Sequence, residues 1–196
     1  QVENNYTATA RELMRMNRDV VKTPAQIAAI PYPAAYLTLG PLPRALVVQA
    51  FDEQGQNKWV SADRNLFVQQ HGRWVKTIGL PSDLISISNL AQDPLANPLA
   101  ITTQGSTWST TIYGATSLQS GRNLQMTLTR QGTEVIKVQD QPRTFLHIVE
   151  TVTAQPGNDH WKNEYWVNPQ TGRIELSVQT LGPGLPKIVF QLLKAD

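Results

Sequence analysis

Residues 163–179 have the sequence NEYWVNPQTGRIELSVQ, and they carry the clearest structural signal in the chain. The aromatic and β-branched run at residues 165–167 favours a strand, and residues 173–179 alternate apolar with polar side chains. Between these runs, Asn168, Pro169 and Gly172 are the residue types that form a tight turn. The stretch is therefore predicted to be a β-hairpin, and none of its residues identifies a reaction.

The rest of the chain after residue 30 shows the same β pattern. Strands are predicted at residues 45–52, 58–60, 66–70, 73–78, 108–116, 123–130, 133–138, 143–153 and 187–193, and residues 84–90 fit a strand or a short helix. His71 and Gly72 form a two-residue loop, so His71 is interpreted as a turn residue rather than a ligand. Residues 35–39 form a further strand, and the prolines that bracket it favour a sheet edge.

About a dozen short strands predict a mainly β fold, a large antiparallel meander. A flat sheet of that size is unusual, so we expect it to curve into a half-barrel or to fold into two layers. Residues 1–196 are expected to form a single domain. One N-terminal helix is predicted at residues 6–22, with Thr23 and Pro24 ending it and capping a short further turn through Ile27. The helix would cover an open face or edge of the sheet; the alternative is a helix that binds a membrane surface or a partner.

The chain contains a weak internal similarity that fits an ancient duplication. Trp59-Val60 and Trp166-Val167 each precede a turn and a second strand, 107 residues apart. The corresponding halves would be residues 35–92 and 99–196, with a loop between them. The alternative is that two hairpins match by chance.

Composition excludes several classes of function. The chain has 17 basic and 15 acidic side chains, a balance that gives no reason to expect a nucleic-acid partner. It has no cysteine, hence neither a thiolate nucleophile nor a zinc-thiolate site, and no apolar run long enough to span a bilayer.

Motifs for metal, nucleotide or serine-nucleophile chemistry are missing, so no cofactor and no metal are expected. The three histidines, His71, His147 and His160, are dispersed, and His147 is interpreted as a satisfied residue of a strand.

Four tryptophans are the candidates for a binding site. Aromatic faces stack on sugar rings, so Trp59, Trp74, Trp161 and Trp166 are predicted to bind a glycan or a protein partner, unless they belong to the core. The acidic residues Asp159, Glu164 and Glu175 lie close to the aromatic residues Trp161, Tyr165 and Trp166 in the sequence. A pair of carboxylates could serve a glycan-processing enzyme, although these side chains also fit solvent-facing positions of strands. A third alternative is a LolB-like carrier of lipid or lipoprotein, because a curved sheet covered by a helix can enclose an apolar cavity.

Two segments of the chain resemble a known family. The chain resembles the YjbF/GfcB family of polysaccharide-associated lipoproteins in these segments. The first is residues 163–173, followed by Ser177-Val178-Gln179 and Gly182-Pro183, and the second is residues 59–63 with 72–80 and Asp83-Leu84. The resemblance implies no enzyme and no catalytic residue.

The resemblance instead implies an exported lipoprotein on the periplasmic side of the outer membrane, held there by a lipid on an N-terminal cysteine. Such a protein would assist the assembly or secretion of capsule or exopolysaccharide by binding glycan or a capsule-export protein. The given sequence lacks the cysteine, so we expect Gln1 to lie just downstream of a removed anchor.

Overall fold

The computed structural model describes residues 19–195. Helix α1 spans Pro24–Ala28, and the strands are β1 (Ala34–Leu39), β2 (Ala45–Glu53), β3 (Gln56–Ser61), β4 (Leu66–Gln70), β5 (Arg73–Ile78), β6 (Leu84–Ile87), β7 (Ser106–Gly114), β8 (Arg122–Val138), β9 (Gln141–Gln155), β10 (Asp159–Val167), β11 (Ile174–Thr180) and β12 (Lys187–Lys194). All twelve strands belong to one sheet with the order β5-β4-β3-β2-β1-β12-β11-β10-β9-β8-β7-β6. Neighbouring strands are antiparallel throughout.

The sheet curls until its two edge strands meet. β1 to β5 form one meander, β6 to β12 form a second, and the pairing of β1 with β12 joins them. At the seam between β5 and β6, the Asp83 carboxylate accepts hydrogen bonds from Thr77 Oγ1 at 2.8 Å and from the backbone nitrogens of Gly79 and Leu80 at 3.1 Å. Leu84 N in turn donates to Thr77 Oγ1 at 2.9 Å. The result is a nearly closed barrel, which confirms the prediction of a large curved antiparallel meander.

The barrel interior is filled by side chains from most of its strands. Alternate residues of β8 point inwards, and Leu124, Met126 and Leu128 are all buried. They join a single apolar cluster that includes Trp59 and Phe190 from the other side of the barrel. Removing this apolar surface from water is the main stabilising contribution to the fold.

The predicted hairpin at residues 163–179 is confirmed as β10, a turn and β11. Asn168 Oδ1 accepts from the backbone nitrogens of Gln170 and Thr171, at 2.9 Å and 3.2 Å. Gly172 has a φ of 73°, and its nitrogen donates to the Asn168 carbonyl at 2.8 Å. Each of these residues therefore has the turn role that its chemistry predicts.

The prediction that residues 35–39 form an edge strand is wrong. β1 pairs with both β2 and β12, so it lies in the middle of the sheet. Proline is excluded from central strands because it cannot donate to the ladder. Here Pro33 and Pro41 lie outside the bounds of β1, so they interrupt none of its hydrogen bonds.

The predicted N-terminal helix falls mostly outside the described residues, which begin at residue 19. Residues 19–22 are not helical, and the predicted cap at Thr23 is present at the start of α1. Thr23 Oγ1 accepts from Gln26 N at 3.2 Å, while Gln26 Oε1 accepts from Thr23 N at 2.9 Å. The segment lies against the outside of the barrel, where Lys22 N donates to the Tyr36 hydroxyl at 2.8 Å.

The connection between β6 and β7 enters the barrel instead of merely linking two halves. It contains short 3₁₀ turns at Leu90–Gln92, Pro94–Ala96 and Pro98–Ala100. Leu95 and Ile101 are each 1% exposed and belong to the core cluster. We call residues 88–105 the β6–β7 segment. The internal duplication and the two halves stay predictions.

Candidate functional site

A cleft of about 540 Å³ opens at one end of the barrel. Its rim comes from the β2–β3, β4–β5 and β10–β11 turns, because antiparallel neighbours place alternate turns at the same end of a barrel. The β6–β7 segment, β12 and residues of β2, β3 and β4 supply the walls. We call this the end cleft, and its volume lies within the range of small-molecule sites in proteins.

The lining of the end cleft combines polar and apolar side chains. The polar side chains are Gln49, Asn57, Gln69, His71, Thr171 and Arg173, and the apolar ones include Trp59, Leu95, Pro98, Ile174, Phe190 and Leu192. Among the described residues the lining contains no aspartate or glutamate. Hydrogen-bond donors and acceptors are therefore plentiful in the end cleft.

Gln69 is the most constrained polar residue of the lining. Its Oε1 accepts the indole N–H of Trp59 at 3.1 Å, and the indole can only donate. This contact fixes the orientation of the amide, which leaves Nε2 buried with no partner. A buried N–H without an acceptor costs roughly 1–3 kcal/mol. The wall of the cleft therefore contains an unused donor.

The β4–β5 turn is held against the inner face of β11. Gln179 Nε2 donates to the Gly72 carbonyl at 2.8 Å, and Trp74 N donates to Gln179 Oε1 at 3.3 Å. A Cβ at Gly72 would lie 2.8 Å from two side-chain atoms of Ile174, so only glycine fits. This close approach places His71, at the turn tip as predicted, on the rim of the end cleft.

Behind the cleft, a buried polar cluster surrounds Arg73. Its guanidinium forms ion pairs with Asp93 at 2.6 Å and with Glu150 at 2.7 Å, and Glu150 is fully buried. Asn163 Nδ2 and the Tyr165 hydroxyl donate to Glu150 Oε1 at 2.8 Å and 3.1 Å. Asp93 belongs to the β6–β7 segment, so the cluster attaches that segment to the barrel wall.

Burial and neighbouring charge shift two ionisations in this cluster. Burial disfavours the charged form of Arg73, but Glu150, Tyr165 and Asp93 outweigh it, and the guanidinium pKa is raised well above its ordinary value. Burial is also the main reason that the pKa of Tyr165 is raised well above its usual range, with Glu150 adding to the effect and Arg73 opposing it. Arg73 is thus charged and Tyr165 protonated at neutral pH.

The structure does not bring the four predicted tryptophans together. Trp59 lines the end cleft, but it is 3% exposed and packs edge-on against Phe190. Trp74 is 2% exposed, and together with Trp161 it lines a separate interior cavity of about 20 Å³. Trp166 is half-buried on the outer face of β10. Of the four residues, only Trp59 is at the cleft, and the binding role of the group stays a prediction.

Trp166 belongs to a polar group on the outside of the barrel. Its ring stacks on His147 with centroids 4.9 Å apart, and its Nε1 donates to Glu134 at 2.8 Å. His147 Nε2 lies 2.7 Å from Glu164 Oε2. His147 is therefore a satisfied residue on the face of a strand, as its sequence context indicates.

The acidic residues considered for catalysis are engaged separately. Asp159 pairs with Arg122 at 3.0 Å, Glu164 contacts His147, and Glu175 pairs with Arg143 at 2.7 Å. None of them lines the end cleft. Residues 19–195 also contain no group of three or more His, Asp or Glu side chains that could hold a metal ion. No helix in that range is long and apolar enough to cross a membrane.

Known proteins are similar to this chain along almost its whole length. The family model described as "Group 4 capsule polysaccharide lipoprotein gfcB, YjbF" matches residues 7–193. The uncharacterised lipoprotein GfcB of Escherichia coli K12 is 33% identical over 98% of this chain and 90% of its own length. The uncharacterised lipoprotein YjbF of the same strain is 35% identical over 88% of this chain and 80% of its own length. The crystal structure of the hypothetical lipoprotein YmcC from Escherichia coli K12 matches with a TM-score of 0.83 and 32% identity, over 96% of this chain and 95% of that one.

Proposed function

Because the chain belongs to the YjbF/GfcB family of group 4 capsule polysaccharide lipoproteins, we propose that it assists the assembly or secretion of a capsule or exopolysaccharide. In this proposal the protein is a lipoprotein of the outer membrane that faces the periplasm and is held there by a lipid anchor. It acts by binding and not by catalysis. Its ligand is a segment of the polysaccharide, and the end cleft is the binding site.

The observation that carries the proposal is the chemistry of the end cleft. A sugar presents many hydroxyl groups, and amide side chains such as those of Gln49, Asn57 and Gln69 can both donate to them and accept from them. Apolar side chains that are accessible in the cleft, such as those of Pro33 and Ala96, complement the C–H faces of the sugar ring. The mixed lining therefore supports a glycan more strongly than a purely apolar ligand.

The alternatives have less support. A glycan-processing enzyme would need two carboxylates facing one cavity, whereas Asp159, Glu164 and Glu175 have separate partners outside the cleft. A carrier of lipid would need an empty apolar interior, whereas the barrel is filled by its own side chains. An export protein that docks at the rim of the cleft remains the competing mode of binding.

Deletion of the gene in a producing bacterium tests the proposed role. We expect the deletion to reduce cell-surface polysaccharide and the full-length precursor to restore it. Globomycin, which blocks lipoprotein processing, should cause the unprocessed precursor to accumulate. Normal surface polysaccharide in the deletion strain would refute the role, and a globomycin-insensitive, fully soluble product would refute the lipid anchor.

A further inference from the structure

The ionisable side chains of the end cleft and its buried unpartnered amide nitrogen can all donate hydrogen bonds. Among the described residues of the lining, the ionisable side chains are those of His71 and Arg173, and neither is an acid. Both side chains are exposed at the rim. The end cleft is therefore suited to a ligand that is negatively charged or rich in acceptor oxygens.

Gln69 adds an independent observation from the wall of the cleft. Its Nε2 is buried without an acceptor, because the indole N–H of Trp59 holds Oε1 and fixes the orientation of the amide. Asn57 Nδ2 is already used by Gln49 Oε1 at 3.3 Å. Within this group of amides, the buried unsatisfied atom is thus a donor that calls for an acceptor, in agreement with the positive charge of Arg173 at the rim.

We propose that the end cleft binds an acidic polysaccharide segment, in which the carboxylates of uronic acid residues contact Arg173 and His71. The guanidinium of Arg173 can bind a carboxylate with two parallel hydrogen bonds, which gives a charge-assisted contact of defined geometry. Ring and hydroxyl oxygens of the same segment face the amides of Gln49, Asn57 and Gln69. The accessible apolar side chains of Pro33 and Ala96 contact the C–H face of the sugar ring.

This inference rests on the proposed polysaccharide binding and adds the class of sugar. A neutral glycan would use the same amides and would make no use of Arg173. A phosphate or sulfate group on the glycan would also bind Arg173, but that binding would not depend on a sugar carboxylate. Esterification of the carboxylates separates these cases, because it removes the charge and preserves the sugar chain.

Calorimetric titration of the protein with defined oligosaccharides tests the inference. The probes are hexagalacturonate, the same oligosaccharide with its carboxylates methyl-esterified, and neutral maltohexaose. Arg173→Gln removes the cation from the rim. Arg64→Gln is the matched control, because Arg64 is exposed in the β3–β4 turn, which lies at the opposite end of the barrel.

We expect the protein and its Arg64→Gln variant to bind hexagalacturonate, and Arg173→Gln to bind it at least tenfold more weakly, because the hydrogen bonds to the charged guanidinium are lost. The esterified and neutral probes should bind at least tenfold more weakly than hexagalacturonate. Equal affinity for the esterified probe, no binding of hexagalacturonate, or equal weakening in both variants would each overturn the inference. If deletion of the gene still reduces surface polysaccharide while hexagalacturonate does not bind, the inference fails and the proposed role in polysaccharide assembly or secretion stands.

Discussion

Arg73 joins three parts of the molecule that are distant in sequence. From β5 it reaches Asp93 in the β6–β7 segment and Glu150 in β9, at 2.6 Å and 2.7 Å. All three side chains are at most 3% exposed. Removal of one member of such a buried group leaves the opposite charge without compensation, which is more costly than the net stabilisation of the intact pair. Arg73 is therefore expected to be the most sensitive single residue for stability.

The variant Arg73→Met should lower the free energy of unfolding by about 3–5 kcal/mol, because Asp93 and Glu150 remain buried without their cation. Lys76→Met is the matched control on the same strand, where the lysine is exposed and should change stability by less than about 0.5 kcal/mol. Urea denaturation followed by tryptophan fluorescence measures both changes. Equal stability of the two variants would contradict the assigned role of Arg73.

Tyr165 predicts a loss of stability at alkaline pH. Its folded pKa is raised, mainly by burial, whereas the unfolded phenol ionises near its ordinary pKa of about 10. Above that pH the unfolded state binds fewer protons than the folded state, so a rise in pH lowers the free energy of the unfolded state relative to that of the folded state. The contribution of Tyr165 to the free energy of unfolding is fully present below pH 10. It declines as the pH rises towards the folded pKa, by up to about 1.4 kcal/mol per pH unit.

Urea denaturation at several pH values above 9 measures this slope. Tyr165→Phe should have a shallower decline of stability above about pH 10 than the wild type, because its phenol is absent. Tyr32→Phe, at an exposed tyrosine, should keep the slope of the wild type. If all three proteins show the same slope, Tyr165 does not carry the effect.

The cluster around Arg73 could not be predicted from the sequence. Its partners Asp93 and Glu150 are 20 and 77 residues away, so no local spacing indicates the contact. The available signal is the placement of polar residues such as Asn163 and Gln179 on the inward side of strands. An alternating strand does not by itself reveal which of its sides faces the interior.

At the scale of the elements, the turn of the β4–β5 hairpin approaches strand β11 closely. Gly72 has a φ of 82°, and a Cβ there would lie 2.8 Å from Ile174. Gly55 in the β2–β3 turn has a φ of 77° with nothing within 4 Å, so it provides a matched control. Alanine at either position would be destabilised by the left-handed backbone conformation. Of these two positions, only at Gly72 would the added methyl group also clash with a side chain, that of Ile174.

Gly55→Ala should lower the free energy of unfolding by about 1–2 kcal/mol, the cost of the left-handed backbone for an L-residue. Gly72→Ala should lose a further 1–3 kcal/mol or so, because the added methyl group overpacks against Ile174. Chemical denaturation of both variants gives the difference. Identical losses would show that Ile174 moves aside and that the close approach is not required.

Local elements were predicted well because their determinants are local. The turn at Asn168 to Gly172 and the cap at Thr23 depend on residues within a few positions of each other. The position of β1 in the sheet was predicted wrongly, since it depends on pairing with β12, more than 140 residues later in the chain. Prolines next to a strand therefore indicate where the strand ends, and they do not indicate whether the strand lies at the edge of the sheet.

At the scale of the whole molecule, Asp83 connects the two edges of the curled sheet. Its carboxylate accepts from Thr77 on the β5 side and from Gly79 and Leu80 in the turn that leads to β6. Asp83→Ala should lower the free energy of unfolding by about 1.5–3 kcal/mol, the contribution of hydrogen bonds to a charged group. It should also speed hydrogen exchange at Leu84, whose nitrogen donates to Thr77.

Asp63→Ala is the control for this prediction, because Asp63 is exposed in the β3–β4 turn. Its stability and the exchange at Leu84 should match those of the wild type. If Asp83→Ala behaves like Asp63→Ala, the seam is held by packing of the edge strands rather than by the carboxylate.

The number and length of the strands were sufficient to predict a curved antiparallel sheet, because a flat sheet of twelve strands is unusual. The end cleft was not predictable in the same way. Its rim brings together the turns at Gly55, His71 and Gly172, which are more than 100 residues apart from first to last. Trp59 was identified from its residue type, whereas Gln69 and Arg173 become candidates only when the turns are seen at one end.

Affinity electrophoresis in gels that contain the purified capsule polysaccharide of the producing bacterium tests the central claim most directly. The account predicts that the polysaccharide retards the wild type and the control variant Gln70→Met equally, because the Gln70 side chain pairs with Gln56. It predicts clearly weaker retardation of Gln69→Met, which loses the amide in the cleft. Thermal unfolding of each variant verifies that it is folded. No retardation of the wild type, or equal retardation of a folded Gln69→Met variant, would contradict polysaccharide binding in the end cleft.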